Sequence, residues 1–125
     1  MIKGKNPRRV LLVDDDRDVL TLFQQILESS GFSVTAASEG GAAAKFHSDL
    51  GGVDLLITDI DMPGQTGFEL ADALSAKQPN LPVLFITGGM FSDDVWKERP
   101  TRNILKKPFS ARMLIASVDK MLRTN

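Results

Sequence analysis

Residues 10–16 read VLLVDDD, a run of four apolar side chains that ends in three carboxylates. A short, wholly apolar run is typical of a strand that is buried on both faces of a parallel sheet. The following residues carry apolar side chains at helical spacing and end at Gly31, a residue that readily takes the left-handed conformation found after helices. This stretch predicts a strand, a polar strand end and a helix.

The same unit recurs along the chain. Further strands are predicted at residues 32–36, 55–57, 83–86 and 103–105. Further helices are predicted after Ser38, at Thr66, after Ser92 and after Ser110. Parallel neighbours need right-handed crossovers that place helices against the sheet. We therefore predict an α/β domain with a doubly wound, five-stranded parallel sheet in the order 2-1-3-4-5 and helices on both faces.

The length of 125 residues suits one domain and leaves no room for a second. We expect a flexible tail at residues 1–7 and the domain at residues 8–125. No apolar run exceeds four residues, which argues against a membrane span or a signal peptide. The chain has no cysteine, which excludes disulfides and thiolate metal sites and fits a cytoplasmic location.

The charge balance also limits the partners. Fifteen basic and 16 acidic side chains give a net charge of -1, so overall charge does not favour nucleic acid. No helix-turn-helix remains after the five strand–helix units. We therefore expect no direct nucleic-acid binding by this chain and no membrane association.

Polar side chains follow four of the predicted strands. They are Asp14, Asp15 and Asp16 after the first strand, Asp59 after the third, Thr87 after the fourth and Lys107 after the fifth. In such sheets the ligand site lies beyond the carboxyl ends of the strands, where the strand order reverses. Crowded carboxylates repel one another unless a cation compensates, and Mg²⁺ prefers oxygen ligands.

A carboxylate at such a site can also attack phosphorus and form an aspartyl phosphate. A lysine ammonium and a threonine hydroxyl can stabilise the transferring phosphoryl group. The residue types at the strand ends therefore predict a phosphoryl-accepting site.

Four motifs carry a resemblance to a known family. They are residues 11–16 (LLVDDD), 59–64 (DIDMPG), 86–88 (ITG) and 107–109 (KPF). In this order and spacing they resemble the receiver domain of bacterial two-component response regulators, a flavodoxin- and CheY-like fold. The resemblance covers nearly the whole chain. It implies a cytoplasmic signalling switch that promotes its own phosphorylation and dephosphorylation without turning over an external substrate.

The resemblance also implies a metal site and a phosphoacceptor. Asp59 is the implied phosphoacceptor. The implied Mg²⁺ ligands are Asp14, Asp15, Asp59 and the main-chain carbonyl of Asp61.

Further roles follow from the same resemblance. Thr87 is the implied switch hydroxyl, and Lys107 is the implied cation that contacts the phosphoryl group. A cis peptide bond at Lys107–Pro108 is also implied. The implied phosphodonor is a sensor histidine kinase or a histidine phosphotransfer protein, with an unknown downstream protein partner; the sequence leaves a homodimer open.

The chain departs from the family pattern in two places. Ile104 stands where the family usually has an aromatic ring that changes orientation on activation. Residues 88–102 are shorter than usual and contain Pro100, which predicts a helix after Ser92 of about one turn. Our hypothesis is that phosphorylation reshapes residues 88–102 themselves.

Two other functions compete with the phosphoacceptor. Asp59-Ile60-Asp61 satisfies the motif of haloacid-dehalogenase-type phosphohydrolases, but that family carries its nucleophile near the start of the chain. A phosphorylation-independent adaptor would explain Ile104, although the complete set of acidic, threonine and lysine side chains argues against it. We also interpret Asp16 as a helix cap and His47 as a surface residue.

Overall fold

The computed structural model describes residues 7–88 and 103–123, and within them five parallel strands form one sheet. The strands are β1 (Arg9–Val13), β2 (Ser33–Ala37), β3 (Leu55–Asp59), β4 (Val83–Thr87) and β5 (Ile104–Lys106). Their order is β2-β1-β3-β4-β5. This order confirms the predicted doubly wound sheet and places its reversal point between β1 and β3.

Helices cover both faces of the sheet. They are α1 (Arg17–Ser29), α2 (Gly40–Leu50), α3 (Gly67–Lys77) and α4 (Ala111–Arg123). The first and last helices pack on one face, and the two central helices pack on the other. The helix predicted after Ser92 lies outside the described residues, as does most of the segment expected to be reshaped by phosphorylation.

The central strands are apolar because both of their faces are covered. Leu11 and Leu56 point into the core on the α2 and α3 side, whereas Leu12 and Ile57 point into the core under α1 and α4. All four side chains are fully buried. Alternation along a strand sends successive side chains to opposite faces, so apolar residues are favoured on both faces of a strand that is covered on both sides.

The sequence suggested five helix starts, of which four lie in the described residues. Three of these four are confirmed. Asp16 caps α1 by accepting from the Asp18 and Val19 main-chain N–H groups. Thr66 and Glu69 form a reciprocal capping box at α3. The Ser110 hydroxyl accepts from the Met113 N–H at the start of α4, 3.1 Å away.

The expected cap of α2 is wrong. Glu39, not Ser38, is the cap residue, and its side chain makes no capping hydrogen bond. The cause is that the helix starts directly at Gly40, so the chain bends one residue later than a serine cap would require.

The interpretation of His47 as a surface residue is also wrong, because its ring is only 4% exposed. Its Nε2 lies 2.8 Å from the Gln78 Oε1 at the end of α3. The same Gln78 amide bonds both main-chain groups of Val53, accepting at 3.1 Å and donating at 2.7 Å. A buried polar ring is tolerated where a partner is present, and that partner is 31 residues away in the sequence.

Replacing Gln78 with Ala should destabilise the fold. The change leaves the Val53 main chain and the His47 Nε2 without their partner, at a cost of about 2 kcal/mol in the free energy of unfolding. Urea unfolding monitored by circular dichroism measures this cost. Gln25→Ala, at an exposed helix position, is the matched control and should change stability by less than about 0.5 kcal/mol. Equal effects of the two variants would contradict the role of Gln78.

No helix in the described ranges is both long and apolar enough to cross a membrane.

Candidate functional site

Three carboxylates meet at the carboxyl ends of β1 and β3. Asp14, Asp15 and Asp59 each offer an oxygen atom, and these atoms lie within 4.8 Å of one another. The register pairs Val13 with Thr58, so the residues that follow them emerge side by side. Asp14 and Asp59 are buried, at 1% and 7% exposure, while Asp15 is exposed. The structure thus brings Asp14, Asp15 and Asp59 together, whereas Asp16 caps α1.

Lys107 reaches this cluster from the end of β5, the outer strand next to β4. Lys107 directly follows β5, and its main-chain N–H donates to the carbonyl of Thr87, the last residue of β4, at 2.8 Å. Its Nζ lies 3.2 Å from the Asp14 Oδ2. The aliphatic part of the side chain runs beside Gly88, where an added Cβ would lie 3.3 Å from the Lys107 Cδ. The Lys107–Pro108 peptide is cis, as the resemblance implied.

The surroundings of Asp59 disfavour its charged form. Burial is the main cause that raises the pKa of Asp59 to about 6, and the negative charge of Asp14 adds to it. Lys107 and the Asp61 N–H, which lies 3.3 Å from the Asp59 Oδ1, act in the opposite direction. Asp15 contributes a smaller increase in the pKa. Among the described groups, those that disfavour the ionised form of Asp59 outweigh those that favour it, and a bound cation would oppose them.

This donor set fits a hard divalent cation. The cluster offers carboxylate oxygens, which are the ligands that Mg²⁺ and Ca²⁺ prefer, and it brings three carboxylates together with one lysine ammonium. The Asp16 main-chain N–H donates to the Asp14 Oδ1 at 2.9 Å. This hydrogen bond fixes the orientation of one carboxylate before any ion arrives.

The remaining candidates sit at the same edge of the sheet. Thr87 is 2% exposed at the end of β4, which pairs with β3 on one side and β5 on the other. Asp61 is exposed and contributes its N–H to Asp59. The roles of the Thr87 hydroxyl and the Asp61 carbonyl stay predictions.

Sequence reasoning missed one residue of this neighbourhood, Gly67. It is the first residue of α3, it is buried, and it lies against the main chain of Asp59. The available signal was a glycine placed directly after the capping threonine, where a helix gains nothing from glycine's flexibility.

Comparison with known proteins gives one family. Residues 10–119 match the family model described as the response regulator receiver domain. The response regulator receiver protein CpdR of Brucella abortus is 36% identical over an alignment of 118 residues, with 92% of this chain and 97% of that protein covered. The chemotaxis protein CheY of Pseudomonas aeruginosa is 31% identical, with 90% of this chain and 94% of that protein covered.

A longer class of relatives matches as well. The transcriptional regulatory protein CpxR of Escherichia coli is 34% identical over 92% of this chain, but the match covers 49% of that protein. The chain thus spans about half the length of these regulators.

Solved structures agree with the sequence relatives. A response regulator receiver protein from Sinorhizobium medicae superposes with a TM-score of 0.83 at 30% identity, covering 94% of this chain and 95% of that one. The chemotaxis protein CheY4 of Vibrio cholerae superposes with a TM-score of 0.81 at 27% identity, covering 93% and 99%.

Proposed function

This chain belongs to the response regulator receiver domain family, and we propose that Asp59 is the residue on which it is phosphorylated. The observation that carries the proposal is the position of the Asp59 carboxylate: nearly buried, within 4.8 Å of two further carboxylates and at the reversal point of the sheet. Receiver domains of this family act as signalling switches.

In the proposed reaction, an Asp59 oxygen forms a bond to phosphorus while the bond from phosphorus to the donor's leaving atom breaks. The leaving group departs with the electron pair of that bond. Asp59 must be ionised to attack, and its raised pKa of about 6 still leaves most of it ionised at pH 7.

Asp14, Asp15, Asp59 and the main-chain carbonyl of Asp61 would hold Mg²⁺. The bound ion would neutralise charge on the carboxylates and on the phosphoryl oxygens. Lys107 is tied to Asp14 at 3.2 Å, so its ammonium lies at the edge of the same cluster and can pair with a phosphoryl oxygen. The Thr87 hydroxyl would donate a hydrogen bond to a phosphoryl oxygen.

The proposed phosphodonor is a sensor histidine kinase or a histidine phosphotransfer protein, and the phosphorylated state would act on a downstream protein. We also propose that the domain occupies residues 8–125. The matched residues 10–119 and the described elements from Arg9 to Arg123 support these bounds.

Two alternatives remain for the same fold. A phosphohydrolase of the haloacid-dehalogenase type would use Asp59 as nucleophile and Asp61 as acid and base, but residues 10–119 match the receiver domain family. An adaptor independent of phosphorylation is favoured by Ile104, which is half-buried in β5 and packs beside the core under α2 and α3. An aliphatic side chain there cannot change orientation as an aromatic ring does.

Intact-protein mass spectrometry after incubation with acetyl phosphate tests the proposal. We expect one phosphoryl adduct in the presence of Mg²⁺ and none in EDTA or in Asp59→Asn. Asp61→Asn is the matched control, because it keeps the main-chain carbonyl; it should still form the adduct. The absence of an adduct in folded protein with an active donor would favour the adaptor.

The same variants distinguish a phosphohydrolase from a phosphoacceptor. Multiple turnover of p-nitrophenyl phosphate that is lost in Asp61→Asn would contradict the receiver function, whereas stoichiometric self-labelling without turnover supports it.

A further inference from the structure

Gly67 lies against the main chain of Asp59, the proposed phosphoacceptor. It opens α3 and is buried, and its main-chain N–H donates to the Ile60 carbonyl at 2.8 Å. This hydrogen bond closes the loop of residues 61–66, which leaves the end of β3 and returns to it. The first turn of α3 is thereby held against the main chain that carries Asp59.

No side chain fits at this position. A Cβ on Gly67 would overlap the Asp59 carbonyl oxygen, and it would lie 3.0 Å from both the Asp59 carbonyl carbon and the Ile60 Cα. All three are main-chain atoms, which cannot rotate away as the end of a side chain can. Any larger residue must therefore move either the peptide that joins Asp59 to Ile60 or the start of α3.

That peptide is held from its other side as well. The Ile60 N–H donates to the Ile86 carbonyl of β4 at 2.9 Å. The Thr58 hydroxyl donates to the Asp59 carbonyl at 3.0 Å. A displacement of the peptide would stretch these bonds and shift Asp59 relative to the carboxylates after β1.

The loop that Gly67 closes also carries Asp61, whose N–H contacts the Asp59 carboxylate. The contact of Gly67 with the Asp59 main chain therefore affects the positions of both Asp59 and Asp61, two residues of the proposed metal site. We propose that Gly67 is a positioning residue for this site: the missing side chain lets α3 seat the Asp59–Ile60 peptide so that Asp59 and Asp61 face the acidic pair. This inference rests on the proposed function, since it assigns these groups to a Mg²⁺ site.

Gly67→Ala and Gly64→Ala form a matched pair that tests it. Gly64 is in the same loop at φ +81°, and a Cβ there meets nothing within 4 Å. Alanine at Gly64 therefore strains the backbone without approaching Asp59. Both variants should lower stability, but only Gly67→Ala should displace the site.

Mg²⁺ affinity is measured by calorimetry on unphosphorylated protein, without a phosphodonor. We expect Gly67→Ala to weaken Mg²⁺ binding by about tenfold or more, the range found when groups that orient metal ligands are lost, and Gly64→Ala to stay within about twofold. Amide hydrogen exchange gives a second measure. Exchange of the Ile60 N–H should speed up selectively in Gly67→Ala, while the amides of Leu12 and Ile57 keep their protection relative to global stability.

Three results would overturn the inference: unchanged Mg²⁺ affinity in folded Gly67→Ala, an equal loss in Gly64→Ala, or failure of Gly67→Ala to fold at low temperature in sucrose, which would make its role purely structural. The proposed function fails separately. Wild-type protein that neither binds Mg²⁺ nor forms the adduct contradicts the proposed function, whereas an adduct on wild-type protein with unchanged Mg²⁺ affinity in Gly67→Ala contradicts the positioning role alone.

Discussion

Asp59→Asn is expected to stabilise the Mg²⁺-free protein at neutral pH while it abolishes phosphorylation. The folded state raises the pKa of Asp59 from 3.8 to about 6. Between these values the folded protein binds more protons than the unfolded chain, so its stability falls as the pH rises through this window. A shift of about two units corresponds to about 3 kcal/mol of stability lost by pH 7. Asparagine has nearly the same shape and carries no charge.

The measurement is urea unfolding of both proteins in EDTA at several pH values. The variant should match the wild-type protein near pH 4 and exceed it by up to about 3 kcal/mol above pH 7. Mg²⁺ should narrow the gap at neutral pH by binding the ionised wild-type site. Asp54→Asn, which replaces a half-buried carboxylate near the opposite end of the sheet, is the control and should show no gain in stability above pH 6. A constant difference at every pH would contradict the assignment.

The acidic site could be predicted because its position follows from sheet topology. Residues that follow parallel strands emerge at one edge, and the order 2-1-3-4-5 makes β1 and β3 neighbours. Asp14 and Asp59 therefore had to meet once those two strands were recognised from their apolar runs. The resemblance implied that Lys107 contacts the phosphoryl group, but its ion pair with Asp14 was not predicted, since strand periodicity does not say how far a lysine side chain extends.

The features that were missed depend on distant partners. The burial of His47 could not be predicted from its neighbours in the sequence, because the side chain that makes it possible, Gln78, lies 31 positions later. Gly67 gave no periodic signal, since its importance comes from contact with the main chain of Asp59. Local propensity describes a residue and its neighbours in sequence, so contacts between elements fall outside its reach.

Lys107→Met is expected to slow phosphorylation while it tightens Mg²⁺ binding. The Lys107 ammonium lies 3.2 Å from the Asp14 Oδ2, and that carboxylate is buried. Removing the ammonium deletes a cation that opposes the growing negative charge of the transferring phosphoryl group, which should lower the rate of adduct formation by about 100-fold. The same change leaves the acidic cluster more negative, so its affinity for Mg²⁺ should rise several-fold, as expected from the lost charge repulsion at short range. Because Asp14 loses its partner, the Mg²⁺-free variant should also be less stable by about 2 kcal/mol.

Lys106→Met provides the control, since Lys106 is exposed at the end of β5 and adjacent in sequence. Both variants replace lysine with methionine, so they remove the same charge and change the side-chain volume equally. Any difference between them is therefore due to the position of the ammonium group. Adduct formation by mass spectrometry and Mg²⁺ binding by calorimetry are measured for both. Opposite changes in rate and Mg²⁺ affinity, in Lys107→Met alone, identify an ammonium that acts on the phosphoryl group. A parallel fall of both would mean that Lys107 acts only by holding Asp14 in place, because displaced ligands bind Mg²⁺ more weakly and accept phosphoryl groups more slowly at once.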